Sequence, residues 1–274
     1  MFAPFLRRWG LDVDGEEIVT PRARLLPVTR LGQPAMLKTA LFPSEIHGNA
    51  VMTWWDGQGA ARVLAAAGAT VLLERAEPTG TLVRLYDEGR DAEAIAVIAD
   101  VAAALHAPRT AAAPVGAARL SDWFVDLPPA AERLGGVLHD SATAAAELFG
   151  EATDEMLLHG DLHHDNILHF GERGWLAIDP KGVQGERIFE FVPQLFDPDA
   201  RTALDVSKLD RQIGLTVASA GVDPARLRLW LLAWAGLLAT WWSEDGKPPE
   251  PSLSVAKAVA ATWPGADERR PKYS

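Results

Sequence analysis

One polar loop set between short apolar stretches, His159 to Asp179, constrains this chain more than any other feature. It reads H-G-D-L-H-H-D-N-I-L and, after a polar turn, W-L-A-I-D-P-K. Met156-Leu157-Leu158 has the pattern of a strand entering the loop, and Asn166-Ile167-Leu168-His169-Phe170 that of one leaving it. Glu172-Arg173-Gly174 makes a hairpin turn, and Trp175 to Ile178 returns to Asp179. Asp161 and Asn166 therefore share one tight loop, and the hairpin delivers a second carboxylate, Asp179, at the end of an apolar strand. A carboxylate beside an attacking hydroxyl, with an amide and a second carboxylate on a hard cation, is what chemistry on a phosphate requires. Asp161 is expected to accept or orient the proton of an acceptor hydroxyl. Asn166 and Asp179 are expected to hold Mg²⁺ against the β- and γ-phosphates of ATP.

Histidines 159, 163, 164 and 169 crowd the same stretch, which makes a metallohydrolase the competing reading. His159, His163 and His164 with Asp161 and Asp165 are the ligand types of a transition-metal cluster. Such clusters usually draw ligands from several elements, whereas strand, loop, Asn and second-strand Asp suit phosphoryl transfer at each step. His159 and His163 are expected to brace the loop by hydrogen bonds.

The motif H-G-D-L-H-x-x-N-I-L resembles the signature of the aminoglycoside phosphotransferase superfamily, a branch of the protein-kinase-like fold. I-D-P-K-G, L-L-E-R at Leu72 to Arg75 and W-W-D-G-x-G at Trp54 to Gly59 resemble its streptomycin 6-kinase and hydroxyurea phosphotransferase family. The likeness runs from about Lys38 to about Trp242. It implies an α+β, two-lobed kinase fold: a small antiparallel β-sheet lobe over residues 1–77, hinge included, and a larger, mainly helical catalytic lobe over 78–274. It further implies ATP-dependent phosphorylation of a small-molecule hydroxyl, with an aminoglycoside such as streptomycin the leading acceptor. Hydroxyurea, another metabolite alcohol or sugar, and a non-catalytic ATP-binding module remain open alternatives.

The resemblance also assigns residues. Ala35-Met36-Leu37-Lys38 stands where kinases have V-A-I-K, placing Lys38 on the α- and β-phosphates, and a Lys in an apolar strand needs a counter-charge. The family's pairing Glu would fall near Gly48, where this chain has none. Glu45 shares a helical face with Gly48 and Met52, so it can reach Lys38 from one turn earlier, or serve as a first-turn charge favoured by the helix dipole. Main-chain groups of Glu74, Arg75 and Ala76 would meet the adenine edge. Lys181 has two equal readings, a phosphate or substrate contact and a salt bridge to a loop carboxylate. Glu186, Glu190, Asp197 and Asp199 would form an acidic rim facing a cationic substrate, or equally a solvated acidic loop. No G-x-G-x-x-G joins the first strands, and the phosphate cover falls to the turn near Thr20 to Arg22.

At 274 residues, with 48% hydrophobic content, the chain can bury a large core. A net charge of -11 argues against nucleic acid and anionic membranes; it suits a cationic substrate, but such acidity is also common in ordinary cytosolic proteins, which is the better-supported reading. Zero cysteines exclude disulfides and thiol chemistry. The start has its charges after a very short apolar run, the reverse of a secretory signal. Leu229 to Trp242, 14 apolar residues between Arg228 and Glu244, is too short for a bilayer and reads as a buried core helix. A cytoplasmic location, where ATP is, is expected.

Elsewhere, strand signals cover about Leu11 to Phe42, in three runs, Glu17 to Thr20, Ala23 to Thr29 and Ala35 to Phe42, with a turn at Leu31-Gly32-Gln33-Pro34. Ser44 to Trp55 reads as a helix, Thr70 to Leu73 as a strand, and Asp91 to His106 as a long amphipathic helix closed by His106, a capping or packing residue. Thr110 to Ala118 reads as a loop. Helices are expected from about Ala130 to Phe149, Leu204 to Ala220, Pro224 to Trp242 and Leu253 to Thr262, with a loose polar end from Pro264. Trp230, Trp234, Trp241 and Trp242 are expected in the core.

Overall fold

The computed structural model describes residues 1–78, 81–196 and 206–263. Helix α1 (Ala3–Trp9) leads into β1 (Leu11–Val13), β2 (Ile18–Val19), β3 (Ala23–Arg30) and β4 (Gln33–Ala40). Helix α2 (Pro43–Trp55) then crosses to β5 (Val63–Ala67) and β6 (Thr70–Glu74). These strands form one antiparallel sheet in the order β1-β3-β4-β6-β5, with β2 also paired to β3. Arg30 pairs with Gln33, so the β3–β4 turn is Leu31-Gly32 alone, and Gln33 and Pro34, expected in that turn, belong to the strand.

Alternation along β4 assigns each face its task. Ala35 and Leu37 enter a small core with Phe2, Leu11, Leu26, Val28 and Leu72, against which Phe5, Leu6 and Trp9 of α1 pack. The intervening Met36 packs on the main core of the molecule. Lys38, in phase with Met36, is 7% exposed and turned toward the second lobe.

That lobe is mainly helical. It runs through α3 (Leu82–Asp87), α4 (Asp91–His106), β7 (Ala118–Arg119), α5 (Leu120–Trp123), α6 (Leu127–Leu134) and α7 (Val137–Gly150). Strands β8 (Glu155–Leu158), β9 (Ile167–His169), β10 (Trp175–Ala177) and β11 (Val183–Glu186) follow, then α8 (Val206–Ala220), α9 (Pro224–Glu244) and α10 (Glu250–Ala260). The hairpin β9–β10 stands alone, and β11 lies between β7 and β8. The single helix expected from Ala130 to Phe149 is two, α6 and α7. Gly135 and Gly136 lie between them with φ of 68° and 63°, a left-handed backbone that the α-helix cannot continue through. Residues 79–80 of the expected lobe boundary, Asp197 and Asp199 of the expected rim, and the end from Pro264 lie outside the described residues.

Helix α9 is apolar around its whole circumference, so it has to be covered on all sides. Residues 229–237 are all buried, between α7 and α10 among other neighbours. Among the described residues no helix is long and apolar enough to cross a membrane. Trp230 and Trp234 sit in an aromatic cluster with Phe124, Phe149 and Phe189, ring centroids 5.2 to 6.3 Å apart and many pairs edge to face. Trp241 and Trp242, expected in the core, are half-buried at its margin. Trp230 is 1% exposed and donates its indole N–H to Glu186. Replacing it (Trp230→Ala) is expected to lower unfolding free energy by about 3–5 kcal/mol, read from the urea midpoint.

Candidate functional site

The loop after β8 is built on a buried carboxylate. Glu190 has no exposed surface and accepts hydrogen bonds from the backbone N–H groups of His159 and Gly160, both at 2.9 Å. Its Oε2 also lies 3.0 Å from His106 Nε2 at the end of α4. Burial pushes this carboxyl up, but the His106 hydrogen bond and charge, His159 and the Gly160 N–H outweigh it and hold the group below its ordinary value. Glu190 was expected on a substrate-facing rim, and so was Glu186. The structure corrects both. Glu186 is 3% exposed and pairs with Arg226 at 2.8 Å.

His159 is the next layer. It is fully buried and stacks on Trp55 of α2, with centroids 6.0 Å apart and planes at 16°. Its Nε2 donates to the Ile178 carbonyl at 2.8 Å, which leaves Nδ1 bare to accept the Asp161 N–H at 3.3 Å. Burial lowers the imidazole pKa in spite of Glu190 and Asp161, so the ring serves as a neutral brace. The His159 carbonyl accepts from Lys181 N at 2.8 Å and Gly182 N at 3.2 Å, joining the H-G-D loop to the D-P-K-G loop.

Asn166 holds the loop's other end. Its Nδ2 donates to the Asp161 carbonyl at 2.8 Å and lies 3.0 Å from His163 Nε2. The Ile178 N–H donates to the Asn166 carbonyl at 2.9 Å, extending the β9–β10 ladder until Asn166 stands beside the residue preceding Asp179. His164 points elsewhere, its ring edge-on to Tyr86 at 5.6 Å. Among the described residues no three His, Asp or Glu side chains gather as a metal-binding group.

Opposite charges close the cleft between the lobes. Lys38 Nζ lies 3.2 Å from Glu45 Oε2 and pairs closely with Asp179 Oδ1. Lys181 Nζ lies 3.4 Å from Asp161 Oδ2, 3.8 Å from Glu45 Oε1 and 4.0 Å from Asp179 Oδ2. Burial pushes the Asp179 carboxyl up, but the charge and hydrogen bond of Lys38, with Lys181 and His159, more than offset it and keep the group below its ordinary value. Asp179 has φ +59°, a left-handed conformation that Asp tolerates better than most residues. Glu45, 2% exposed, thus reaches Lys38 from the first turn of α2. Gly48 cannot carry the pairing side chain because a Cβ there would stand 2.2 Å from the Pro180 carbonyl oxygen.

Where the hinge is expected, the Glu74 N–H donates to the Arg62 carbonyl at 3.0 Å, and its carboxylate accepts from Arg62 N and pairs with Arg173. Arg75 pairs with Asp14 at 2.5 Å, and Ala76 follows. Arg173, on the β9–β10 turn, also donates to the Gly57 carbonyl, so hinge, hairpin and the W-W-D-G-Q-G segment share one cation. Glu190 as the loop's anchor escaped the reading of the sequence. Its signal was an acidic residue inside the apolar run Ile188-Phe189-Glu190-Phe191-Val192, which only a buried partner explains.

A sheet lobe, a helical lobe and a polar loop closed by two lysines place the chain among the protein-kinase-like phosphotransferases. A thermostable mutant of aminoglycoside phosphotransferase APH(4)-Ia, in complex with ADP and hygromycin B, has the same fold, with a TM-score of 0.64 at 13% identity, covering 95% of this chain and 98% of that one. The chain belongs to the aminoglycoside/hydroxyurea antibiotic resistance kinase family, whose pattern matches residues 8–246. Streptomycin 3''-kinase of Klebsiella pneumoniae is 42% identical over 262 residues, 93% of this chain and 97% of that protein. Hydroxyurea phosphotransferase of Kitasatospora aureofaciens is 36% identical, over 93% and 76%. Streptomycin 6-kinase of Streptomyces glaucescens is 34% identical, over 93% and 86%.

Removing the buried anchor (Glu190→Ala) leaves two loop N–H groups and His106 unpaired, and a loss of about 3–5 kcal/mol in urea unfolding is expected. Because its folded pKa is lowered, Glu190 stabilises the fold above the ordinary carboxylate range, and that contribution fades as pH falls through it. The acid limb of stability against pH should therefore be shallower in Glu190→Gln.

Proposed function

We propose that this protein transfers the γ-phosphate of ATP to a hydroxyl of an aminoglycoside, with streptomycin the leading acceptor and its 3''-hydroxyl the favoured position. The observation that carries the reading is convergence. Asp161 and Asn166 from one loop and Asp179 from the end of another strand meet around Lys38 and Lys181, with Glu45 locked behind them. The 3''-position is favoured because the relative named for it, at 42% identity, is more similar than the streptomycin 6-kinases and is covered almost end to end.

In this reading Asp161 takes or orients the proton of the acceptor hydroxyl, and Lys38, held by Glu45, binds the α- and β-phosphates. The main chain of Glu74 to Ala76 meets the adenine. The N–H of Glu74 is already spent on Arg62, so any part it takes in that contact is through its carbonyl. Asn166 and Asp179 suit Mg²⁺. Both offer oxygen, and the Asn166 amide spends its nitrogen on Asp161, which leaves its oxygen end for a cation. Bound there, Mg²⁺ would supply charge neutralisation at the phosphates. Residues 1–77 would form the nucleotide lobe and 78–274 the catalytic lobe, working in the cytoplasm. With Glu186 and Glu190 internal, a cationic acceptor would be drawn by the overall charge of -11 and the cleft carboxylates rather than by that rim.

Labelled γ-phosphate from Mg-ATP should appear on streptomycin in a panel that includes hydroxyurea, other aminoglycosides and simple sugars. Asp161→Asn should lower that transfer by about 10² or more while ATP still binds. Label on hydroxyurea alone would move the acceptor, and label on none, with ATP bound, would reduce the protein to a non-catalytic nucleotide binder. Asp179→Ala should abolish Mg²⁺-dependent ATP binding in calorimetry, and unchanged binding would remove Asp179 from the metal.

A further inference from the structure

We propose that the ammonium of Lys181 is a catalytic group that contacts the phosphoryl unit during transfer, an inference that rests on the function proposed above. Its placement is the argument. Lys181 Nζ lies 3.4 Å from Asp161 Oδ2 on the acceptor side and 4.0 Å from Asp179 Oδ2 on the metal side. In-line transfer carries the phosphoryl unit between an oxygen activated at the first carboxylate and oxygens held at the second. The ammonium is within 4.0 Å of both carboxylates, within reach of the equatorial oxygens over which charge spreads during transfer.

Its contacts show a cation shared among carboxylates rather than committed to one. Lysine has three donors, and a charge-assisted N–H···O⁻ bond closes to about 2.7–2.9 Å. Lys181 sits at 3.4, 3.8 and 4.0 Å from three carboxylates, satisfying none, and Glu45 Oε1 is buried without a hydrogen bond among the described residues. Lys38, by contrast, is committed to Glu45 Oε2 and Asp179 Oδ1. The Lys181 backbone is fixed meanwhile, its N–H on the His159 carbonyl at 2.8 Å, so the charge is delivered without reorganising the loop.

The chain has no cysteine, so Lys181→Cys introduces a single thiol, which bromoethylamine converts to a lysine analogue with the ammonium restored. Lys181→Cys should lower kcat for phosphate transfer by about 10² or more with the KM for ATP nearly unchanged, and aminoethylation should restore most of it. Transfer retained by the unmodified variant would overturn the proposal. So would a loss that aminoethylation does not repair, or one matched by a fall in nucleotide affinity and melting temperature, since that is what a purely structural lysine produces. The wild-type protein is assayed first. Transfer absent from it would overturn the functional reading and this inference with it, whereas wild-type transfer that Lys181→Cys keeps would overturn this inference alone.

Discussion

A carboxylate with no exposed surface, Glu190, is the constraint on which the site depends. An isolated charge in the interior costs several kcal/mol, so its partners are held as firmly as it is. Those partners are two consecutive N–H groups at the start of the polar loop and one imidazole from α4. The same demand that keeps Glu190 paired therefore fixes the backbone at His159 and Gly160. From there the order spreads: His159 fixes Ile178, Lys181 and Gly182, and Asn166 fixes Asp161. Asp161 and the loop that carries Asp179 are thus held in place by buried and half-buried groups.

The two lobes are joined by more than the hinge. Ala61 and Ala177 exchange backbone contacts through the Ala61 N–H on the Ala177 carbonyl and the Ala177 N–H on that of Gly59. Trp55 lies on His159, and Arg173 reaches from the β9–β10 turn to both Glu74 and Gly57. The W-W-D-G-Q-G segment is thus a strap between sheet and loop. Trp54 and Gly59 tie it in turn to α4 and the loop beyond: Arg109 lies over the Trp54 ring, Trp54 donates to the Ala111 carbonyl, and Gly59 packs against Ala104 and Leu105.

Much of this was legible in the residues. The spacing of Asp161, Asn166 and Asp179 marked a loop and hairpin, and the structure builds them with the expected strands. The period of Ile95, Ile98, Val101, Ala102 and Leu105 marked α4 to both of its ends. Helix α1 was passed over, although Phe2, Phe5, Leu6 and Trp9 carry helical spacing. Seven residues are too few to be stable alone, and the sheet face that holds them is assembled by distant strands. The destination of Glu186 and Glu190 was unreadable for a related reason. Acidic residues near a site look alike whether they face solvent or an arginine forty positions away, and only the tertiary path of α9 brings Arg226 to Glu186.

The missing Cβ at position 48 has a consequence for control. Helix α2 carries Glu45, and at Gly48 it lies so close to the Pro180 carbonyl that no side chain fits between them. The helix is seated on the same loop that carries Asp179, so one contact sets both the Lys38–Glu45 pair and Asp179. A helix that swings outward to silence the site would have to break this contact and strip Lys38 of its buried partner at once. Position 48 thereby ties the setting of α2 to the loop that carries Asp179, and any larger residue there would part the two.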